Sequence, residues 1–186
     1  MKLIVDSNNF SEIKTEANKN ISHTLTDRQL CDIELILNGG FYPLNGFLNK
    51  EDYESVLDNL SLLDNSVWPI PITLDVNEDI ASSLSLGESL SLKDKEGFFI
   101  AIMKIESKWK PDKLFEAKKV FGSTDNKHPG IDYLINKTND WYLGGRLKGV
   151  ALPKHYDFEK LRHTPDKLKL KFKKMGWKNI VAFQTR

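Results

Sequence analysis

The sequence of 186 residues has one cysteine, no long apolar run and no secretory signal. A single thiol, Cys31, can form neither an intramolecular disulfide nor a thiolate metal cluster. No uncharged run approaches the roughly 20 residues that span a bilayer, and residues 1–25 lack an apolar stretch behind a basic start. We therefore expect a protein of a reducing compartment, the cytoplasm, with no membrane partner.

Charge is nearly balanced overall but is distributed unevenly along the chain. The 27 Lys and Arg and the 26 Asp and Glu leave a formal net charge of +1. Residues 154–186, however, carry ten basic and three acidic side chains. Such a local excess is typical of a surface that faces an anion or a nucleic acid. The segment is therefore expected to differ in role from residues 1–153.

Apolar spacing predicts two helices in the first 60 residues, after a polar and irregular segment over 1–26. The first helix begins at an N-cap of Thr26 or Asp27 and ends at a pair of glycines. Its apolar positions recur at helical spacing, so Asp32 is expected to face solvent. An unusually apolar loop separates this helix from the second one, over 50–60.

Downstream of Val67 the apolar period changes to two, which predicts strands. The prolines in 68–76 indicate that this segment is a strand at the edge of a sheet or a bulged strand. Residues 89–92 and 97–107 predict a hairpin whose second strand is apolar on both faces and therefore central. The remaining predicted elements are helices from Pro111 to Gly122 and from Pro129 to Leu134, and a glycine-kinked strand over 141–152.

The last part of the sequence predicts the beginning of a second domain. Thr164 and Pro165 form a helix-start signal, and the helix ends at Gly176. Residues 179–183 are a short, wholly apolar run, which is typical of a parallel strand covered on both faces. Such a strand needs neighbours, and none follows in the sequence. We therefore expect this run to be disordered, borrowed by a neighbouring molecule or paired in a dimer, with apolar surface left exposed around Ile180, Val181 and Phe183.

Several groups capable of chemistry lack the partners that the chemistry requires. None of the four histidines has a second ligand at metal-binding spacing, so no metal site is predicted and each is expected to form ordinary hydrogen bonds. The glycine-rich stretch 144–149 lacks the Lys-Ser/Thr ending of a phosphate loop and predicts a kinked strand. The lysines of 167–174 resemble a nucleic-acid stripe, but without interleaved aromatic residues they predict a solvated helix face.

One set of residues points to anion binding. Gln184, Thr185 and Arg186 follow the predicted parallel strand, and ligands of open α/β sheets bind at the carboxyl ends of the strands. An arginine there can hold a tetrahedral oxyanion with two parallel hydrogen bonds, and a glutamine amide can donate another. The pattern alone also fits an ordinary polar strand end.

Longer motifs resemble those of the ATP sulfurylases, or sulfate adenylyltransferases. The similarity runs from about Leu25 to Arg186, in the family's order and spacing. Five stretches carry it: Leu37–Phe47 (LNGGFYPLNGF), Trp68–Val76 (WPIPITLDV), His128–Gly130 (HPG), Pro153–Phe158 (PKHYDF) and Val181–Arg186 (VAFQTR).

The resemblance implies an α+β fold in three parts. These are a PUA-like pseudo-barrel with flanking helices over 1–153, a linker and basic helix over 154–176, and the first strand of a truncated, Rossmann-like α/β nucleotidylyltransferase domain over 177–186. It also implies an enzyme of sulfate assimilation, which joins ATP and sulfate into adenosine 5′-phosphosulfate and pyrophosphate, with Mg²⁺ accompanying ATP in the full-length protein. Gln184, Thr185 and Arg186 are implied to bind sulfate and the nucleotide phosphates.

The family pattern is incomplete in this sequence. In the family, QTR continues into Asn-Pro and an HxxH run, whose histidines are implied to lie at a helix N-terminus that stabilises phosphate charge. We therefore expect no complete catalytic set, no bound cofactor and no activity for the chain alone. Two alternatives remain open, a non-catalytic PUA-like binding or assembly module and a PUA-like RNA binder, although we expect no nucleic-acid partner. An exposed C-terminal segment would also allow a homo-oligomer.

Overall fold

Helices flank a single mixed β-sheet. The computed structural model describes residues 3–5 and 10–183. The elements in that part of the chain are α1 (Phe10–Ala17), β1 (Ile21–Thr24), α2 (Asp27–Leu37), β2 (Gly46–Phe47), α3 (Lys50–Asn59), β3 (Leu74–Val76), α4 (Glu78–Ser82), β4 (Ser89–Lys93), β5 (Phe99–Trp109), α5 (Lys113–Phe121), α6 (Pro129–Asn136), β6 (Trp141–Gly149) and α7 (Pro165–Lys174).

The strands follow the order β1-β4-β5-β6-β2, and β3 pairs with the first residues of β6. β1 runs parallel to β4, whereas the other strand pairs are antiparallel. The predicted hairpin is confirmed as β4 and β5. Because β5 is paired on both edges, its prediction as a central strand is confirmed as well.

Glycines in β6 let three strands approach one another. Phe47 of β2 lies opposite Gly145, and the β5–β6 register shifts nearby, between Ile105 and Ser107. A Cβ atom on Gly46 would overlap the carbonyl oxygen of Gly145, and a Cβ on Gly145 would overlap that of Lys104. The glycine-rich stretch is therefore a kinked strand, as predicted.

Local capping signals place the helix starts. Thr26 accepts a hydrogen bond from the Gln29 backbone, and the Gln29 side chain accepts one from the Thr26 backbone, so Thr26 is the N-cap of α2. α6 begins at Pro129 as predicted. The predicted start of α5 at Pro111 is wrong, because the Asp112 side chain accepts hydrogen bonds from the next turn and makes Asp112 the N-cap.

The main core lies between the sheet and the helices α2 and α3. It includes Ile33, Val56 and Met103, each almost completely buried. Two smaller apolar clusters lie beneath α1 and between α5 and α6. Burial of these side chains is the main favourable term for folding.

Residues 10–24 contain two regular elements that the sequence did not predict. α1 packs Ile13 and Ala17 against Ile102 of β5, and β1 pairs with β4. The prediction of an irregular segment is therefore wrong. The helix α1 could not be recognised in the sequence, because only two buried positions anchor it and one turn of apolar periodicity is too short a pattern.

Two further predictions are corrected. Only Leu74–Val76 of the alternating stretch 68–76 forms a strand, because Pro69 and Pro71 have no backbone N–H for a ladder. Asp32 is buried rather than solvated, since it pairs with Arg28 one turn earlier in α2.

The C-terminal part contributes little to the core. α7 forms as predicted but buries no residue, and residues 179–183 adopt no strand. The side chains of Val181 and Phe183 are 94% and 90% exposed. The predicted strand is thus wrong for 179–183, whereas the expectation of an uncovered apolar run is confirmed. Among the described helices, none is long and apolar enough to cross a membrane.

Candidate functional site

The residues predicted to bind an anion, Gln184, Thr185 and Arg186, lie outside the described residues. Within the described part, buried polar side chains concentrate at two neighbouring places. One is a charged group around Arg28, which we call the Arg28 cluster; its members are His23, Arg28, Gln29, Asp32 and Asp75. The other is the carboxyl group of Glu116.

Asp75 is the centre of the Arg28 cluster. Its Oδ1 accepts hydrogen bonds from Arg28 Nη2 and Gln29 Nε2, both at 2.8 Å. Its Oδ2 accepts two more from Asn139, from the backbone N at 2.8 Å and from Nδ2 at 3.0 Å. Both oxygens are thus fully engaged, which a buried carboxylate requires.

Arg28 links helix α2 to strand β3. Its Nη1 contacts Asp32 Oδ2 at 3.0 Å, and its Nη2 also donates to the Thr73 carbonyl at 3.3 Å. The guanidinium carbon lies 5.8 Å from the ring centre of Tyr133, a cation–π distance. The positive charge of Arg28 is therefore compensated by two carboxylates from its own chain.

Burial sets the protonation behaviour of the cluster. It raises the pKa of the Asp32 carboxyl to about 6; the Arg28 charge acts against this shift and the Asp75 charge adds to it. Burial likewise lowers the pKa of His23. The His23 Nε2 lies 3.1 Å from Gln29 Oε1 and donates to it, because that oxygen can only accept.

Glu116 lies behind the cluster, on α5. Its Oε2 accepts hydrogen bonds from the hydroxyls of Tyr53 at 2.9 Å and Tyr142 at 3.1 Å. Burial raises the pKa of Glu116, although both hydroxyls act to lower it. Burial, followed by the Glu116 charge, raises the pKa of both tyrosines. The hydroxyls are thus held protonated as donors.

A cavity of about 250 Å³ connects these two places. Arg28, Glu116 and Tyr142 lie at its polar end, and apolar side chains form much of the remaining wall. The complete lining consists of Arg28, Ile70, Pro71, Thr73, Glu116, Val120, Phe121, Gly130, Tyr133, Leu134, Thr138 and Tyr142. An apolar cavity with a few convergent polar groups is the usual form of a small-molecule site.

Sequence reasoning missed the buried carboxyls at this site. The signal for Asp75 was a charge inside the apolar alternation of 68–76. The signal for Glu116 was its place beside buried Ala117 on α5. The apolar residues Leu114 and Phe115 of the same helix are exposed.

The motifs that carry the family resemblance have structural roles in the described residues. In the loop over 41–47, Leu44 and Phe47 are buried and Phe41 packs edge-on against Trp68. The Nδ1 of His128 caps α6 by accepting from the Gly130 backbone at 3.2 Å. The Nε2 of His155 lies 2.9 Å from Glu34 and ties the C-terminal segment to α2.

No metal-binding cluster occurs in the part of the chain that the structure describes. No three or more His, Cys, Asp or Glu side chains lie close enough together there to hold a metal ion. Hydrogen bonds to His23 and His155 agree with the prediction that the histidines form ordinary polar contacts.

Three known proteins that are similar to this chain share a name. Proteins named sulfate adenylyltransferase are 52% identical over 162 residues in Eremothecium gossypii, 50% over 162 in Saccharomyces cerevisiae and 46% over 177 in Schizosaccharomyces pombe. The matches cover 87%, 87% and 94% of this chain but 32%, 32% and 36% of those proteins. The chain thus spans about a third of the length of the curated relatives it matches.

A solved structure and a family model agree on the architecture. The structure titled "Hexameric APS kinase from Thiobacillus denitrificans" is 32% identical, with a TM-score of 0.78, and the match covers all of this chain and 32% of that one. The family model described as "PUA-like domain" matches residues 1–152, well over half of the sequence. The chain, with its mixed sheet and flanking helices, therefore belongs to the PUA-like domain family.

Proposed function

We propose that this chain is the N-terminal part of a sulfate adenylyltransferase, the enzyme that makes adenosine 5′-phosphosulfate and pyrophosphate from ATP and sulfate in sulfate assimilation. The observation that carries the proposal is the 46–52% identity to three proteins of that name across 87–94% of the chain. The TM-score of 0.78 to a solved chain at 32% identity, which is titled as an APS kinase, supports the fold of this part.

The proposed enzyme divides this chain into a PUA-like domain over 1–153, a linker and basic helix over 154–176, and the start of a Rossmann-like catalytic domain over 177–186. Residues 179–183 of that last part adopt no strand in this chain. The decline of burial along the chain supports this division, because α7 buries no residue. The exposed apolar side chains after α7, which include Val181 and Phe183, also suit a segment that packs against further structure.

In the whole enzyme, Gln184 and Arg186 are proposed to bind sulfate and the nucleotide phosphates, with Thr185 completing the anion site. Arginine suits this role because its planar fork matches the oxygens of a tetrahedral anion. Catalysis would then come from positioning the sulfate oxygen against the α-phosphorus and from stabilising the developing charge. Mg²⁺ would enter the reaction together with ATP.

The 186-residue chain alone is proposed to be inactive, because it corresponds to about a third of each relative. A pyrophosphate-release assay with ATP, Mg²⁺ and sulfate tests this directly, and we expect no turnover above the buffer rate. Turnover close to that of the Saccharomyces cerevisiae protein would contradict it.

A chimera tests whether this chain can serve as the N-terminal part of an active sulfate adenylyltransferase. The segment of the Saccharomyces cerevisiae protein that aligns with this chain is replaced by residues 1–186, and pyrophosphate release is measured. We expect sulfate-dependent activity within about tenfold of the parent, because 50% identity preserves most contacts. A folded but inactive chimera would count against the assignment.

The chimera also tests the anion site. Arg186→Ala should lower its kcat/KM about 100-fold, the order expected for losing a charged transition-state donor. Arg162→Ala is the matched control, because Arg162 is an exposed arginine that pairs with Asp157. Equal effects of the two substitutions would remove Arg186 from the site.

We further propose that the exposed C-terminal segment mediates self-association of this chain. The apolar side chains that it leaves uncovered support this proposal, since large exposed apolar patches mark contact surfaces.

A further inference from the structure

The cavity beside Glu116 is separate in the chain from the proposed anion site. α2, α5, α6 and residues 70–73 bound it. Its volume of about 250 Å³ exceeds the roughly 150 Å³ of an apolar cavity that binds benzene. Ile70 and Phe121 line it and are exposed, so a ligand can enter from solvent on that side.

The wall of the cavity is apolar around a polar end. Pro71, Val120 and Leu134 belong to the wall, whereas Glu116 and Tyr142 form a buried end. A ligand that fills this space would remove apolar surface from water along its length. It would meet few hydrogen-bonding groups, among them the Glu116 carboxyl and the Tyr142 hydroxyl.

The Glu116 carboxyl can accept more hydrogen bonds than it does in this structure. An ionised carboxylate offers about four lone-pair sites. The hydroxyls of Tyr53 and Tyr142 both donate to Oε2. In the described part of the chain, Glu116 Oε1 accepts no hydrogen bond. A donor brought by a ligand could therefore add to the existing bonds without displacing either tyrosine.

The charges around the cavity disfavour an anion. Arg28 already donates to Asp32, to Asp75 and to the Thr73 carbonyl. Lys113, the other nearby cation, donates to the Thr138 carbonyl and contacts Asp140. Both cations are already paired with carboxylates, although the Arg28 Nε is buried without a hydrogen-bond partner. Glu116, in contrast, forms no ion pair among the described residues. A positively charged ligand gains from this imbalance.

We propose that this cavity binds a small aromatic amine, with its ring between Val120 and Leu134 and its ammonium or N–H group donating to Glu116 Oε1. This site goes beyond the proposed sulfate and nucleotide chemistry and does not depend on it. Apolar contact supplies most of the binding area, and the single polar contact sets the orientation and the preference for a donor.

Benzylamine, benzyl alcohol and benzoate are matched probes, since each carries one phenyl ring and one polar group of different charge. They are titrated into the 186-residue chain while the amide NMR signals of Gly130 and Thr138, which line the cavity, are followed. We expect saturable shifts with affinity falling from benzylamine to benzyl alcohol to benzoate. Absence of saturable shifts with benzylamine, or benzoate binding as tightly as the amine, would overturn the proposal.

Two variants distinguish binding in the cavity from nonspecific binding to the surface. Glu116→Gln keeps the side-chain shape and should weaken benzylamine at least tenfold while leaving benzyl alcohol nearly unchanged. Val120→Phe fills the cavity from a half-buried position and should abolish binding of both probes. Glu12→Gln, on the exposed side of α1, is the control and should change nothing. Unchanged benzylamine affinity in either cavity variant, with the fold verified by NMR, would overturn the proposal.

Discussion

Arg28 Nη2 and Asp75 Oδ1 lie 2.8 Å apart although 47 positions separate the two residues in the sequence. The contact joins helix α2 to strand β3 through a carboxylate that is 3% exposed. Removing the cation would leave a buried negative charge with only neutral donors. The pair therefore matters more for stability than an ion pair at the surface would.

Arg28→Met should lower the free energy of unfolding by about 2–4 kcal/mol. The methionine retains much of the apolar stem, so the loss arises mainly from the uncompensated carboxylates of Asp32 and Asp75. Urea unfolding followed by circular dichroism measures the change. Arg162→Met is the control, because its 2.8 Å pair with Asp157 is exposed and should be worth less than about 1 kcal/mol. Equal losses in the two variants would contradict the buried role of Arg28.

Asp32 should make stability depend on pH. Its carboxyl has a folded-state pKa of about 6, raised chiefly by burial from an ordinary value of 3.8. Between these two values the folded protein binds the proton more tightly than the unfolded chain does. The contribution of Asp32 to the free energy of unfolding therefore falls as pH rises through this window, and stays low above pH 6.

Asp32→Asn removes this titration. The stability of the variant minus that of the native chain should rise by about 1–3 kcal/mol from pH 4 to pH 7. Urea unfolding at several pH values gives this difference. Asp157→Asn is the control, because the hydrogen bond from Arg162 lowers the pKa of Asp157 and its difference should not rise over this pH range. A flat or falling difference for Asp32→Asn would show that its carboxyl is not held protonated by the fold.

Local signals account for what the sequence predicted correctly. The N-cap at Thr26 and the turn that joins β4 to β5 each depend on residues close together in the chain. The buried charges could not be predicted in this way. Asp75 forms hydrogen bonds with residues that are 46 to 64 positions away in the sequence, and Glu116 forms one with Tyr53, 63 positions away. The parallel pairing of β1 with β4 is equally non-local.

Gly46→Ala should disrupt the junction of β2 and β6. The new methyl group would overlap the backbone of Gly145, which cannot move without breaking the pairing of β6 with β5. We expect a loss of more than about 2 kcal/mol, the scale of overpacking in a core. Thermal and urea unfolding provide the measurement.

Gly87→Ala is the matched control for this substitution. Gly87 has φ +87° and no atom near its potential Cβ, so alanine there meets backbone strain of about 1 kcal/mol but no overlap. A Gly46→Ala variant that is as stable as the Gly87→Ala variant would mean that β2 and β6 can separate at little cost.

Self-association through the C-terminal segment predicts a concentration-dependent mass. Val181 and Phe183 are almost fully exposed, and covering them in a dimer would remove apolar surface from water. The double substitution Val181→Lys with Phe183→Lys should shift the chain toward monomer by at least tenfold in dissociation constant, measured by sedimentation equilibrium. Val67→Lys is the control, since Val67 is 81% exposed on the PUA-like domain. A native chain that stays monomeric throughout, or an equal shift in the control, would refute association through this segment.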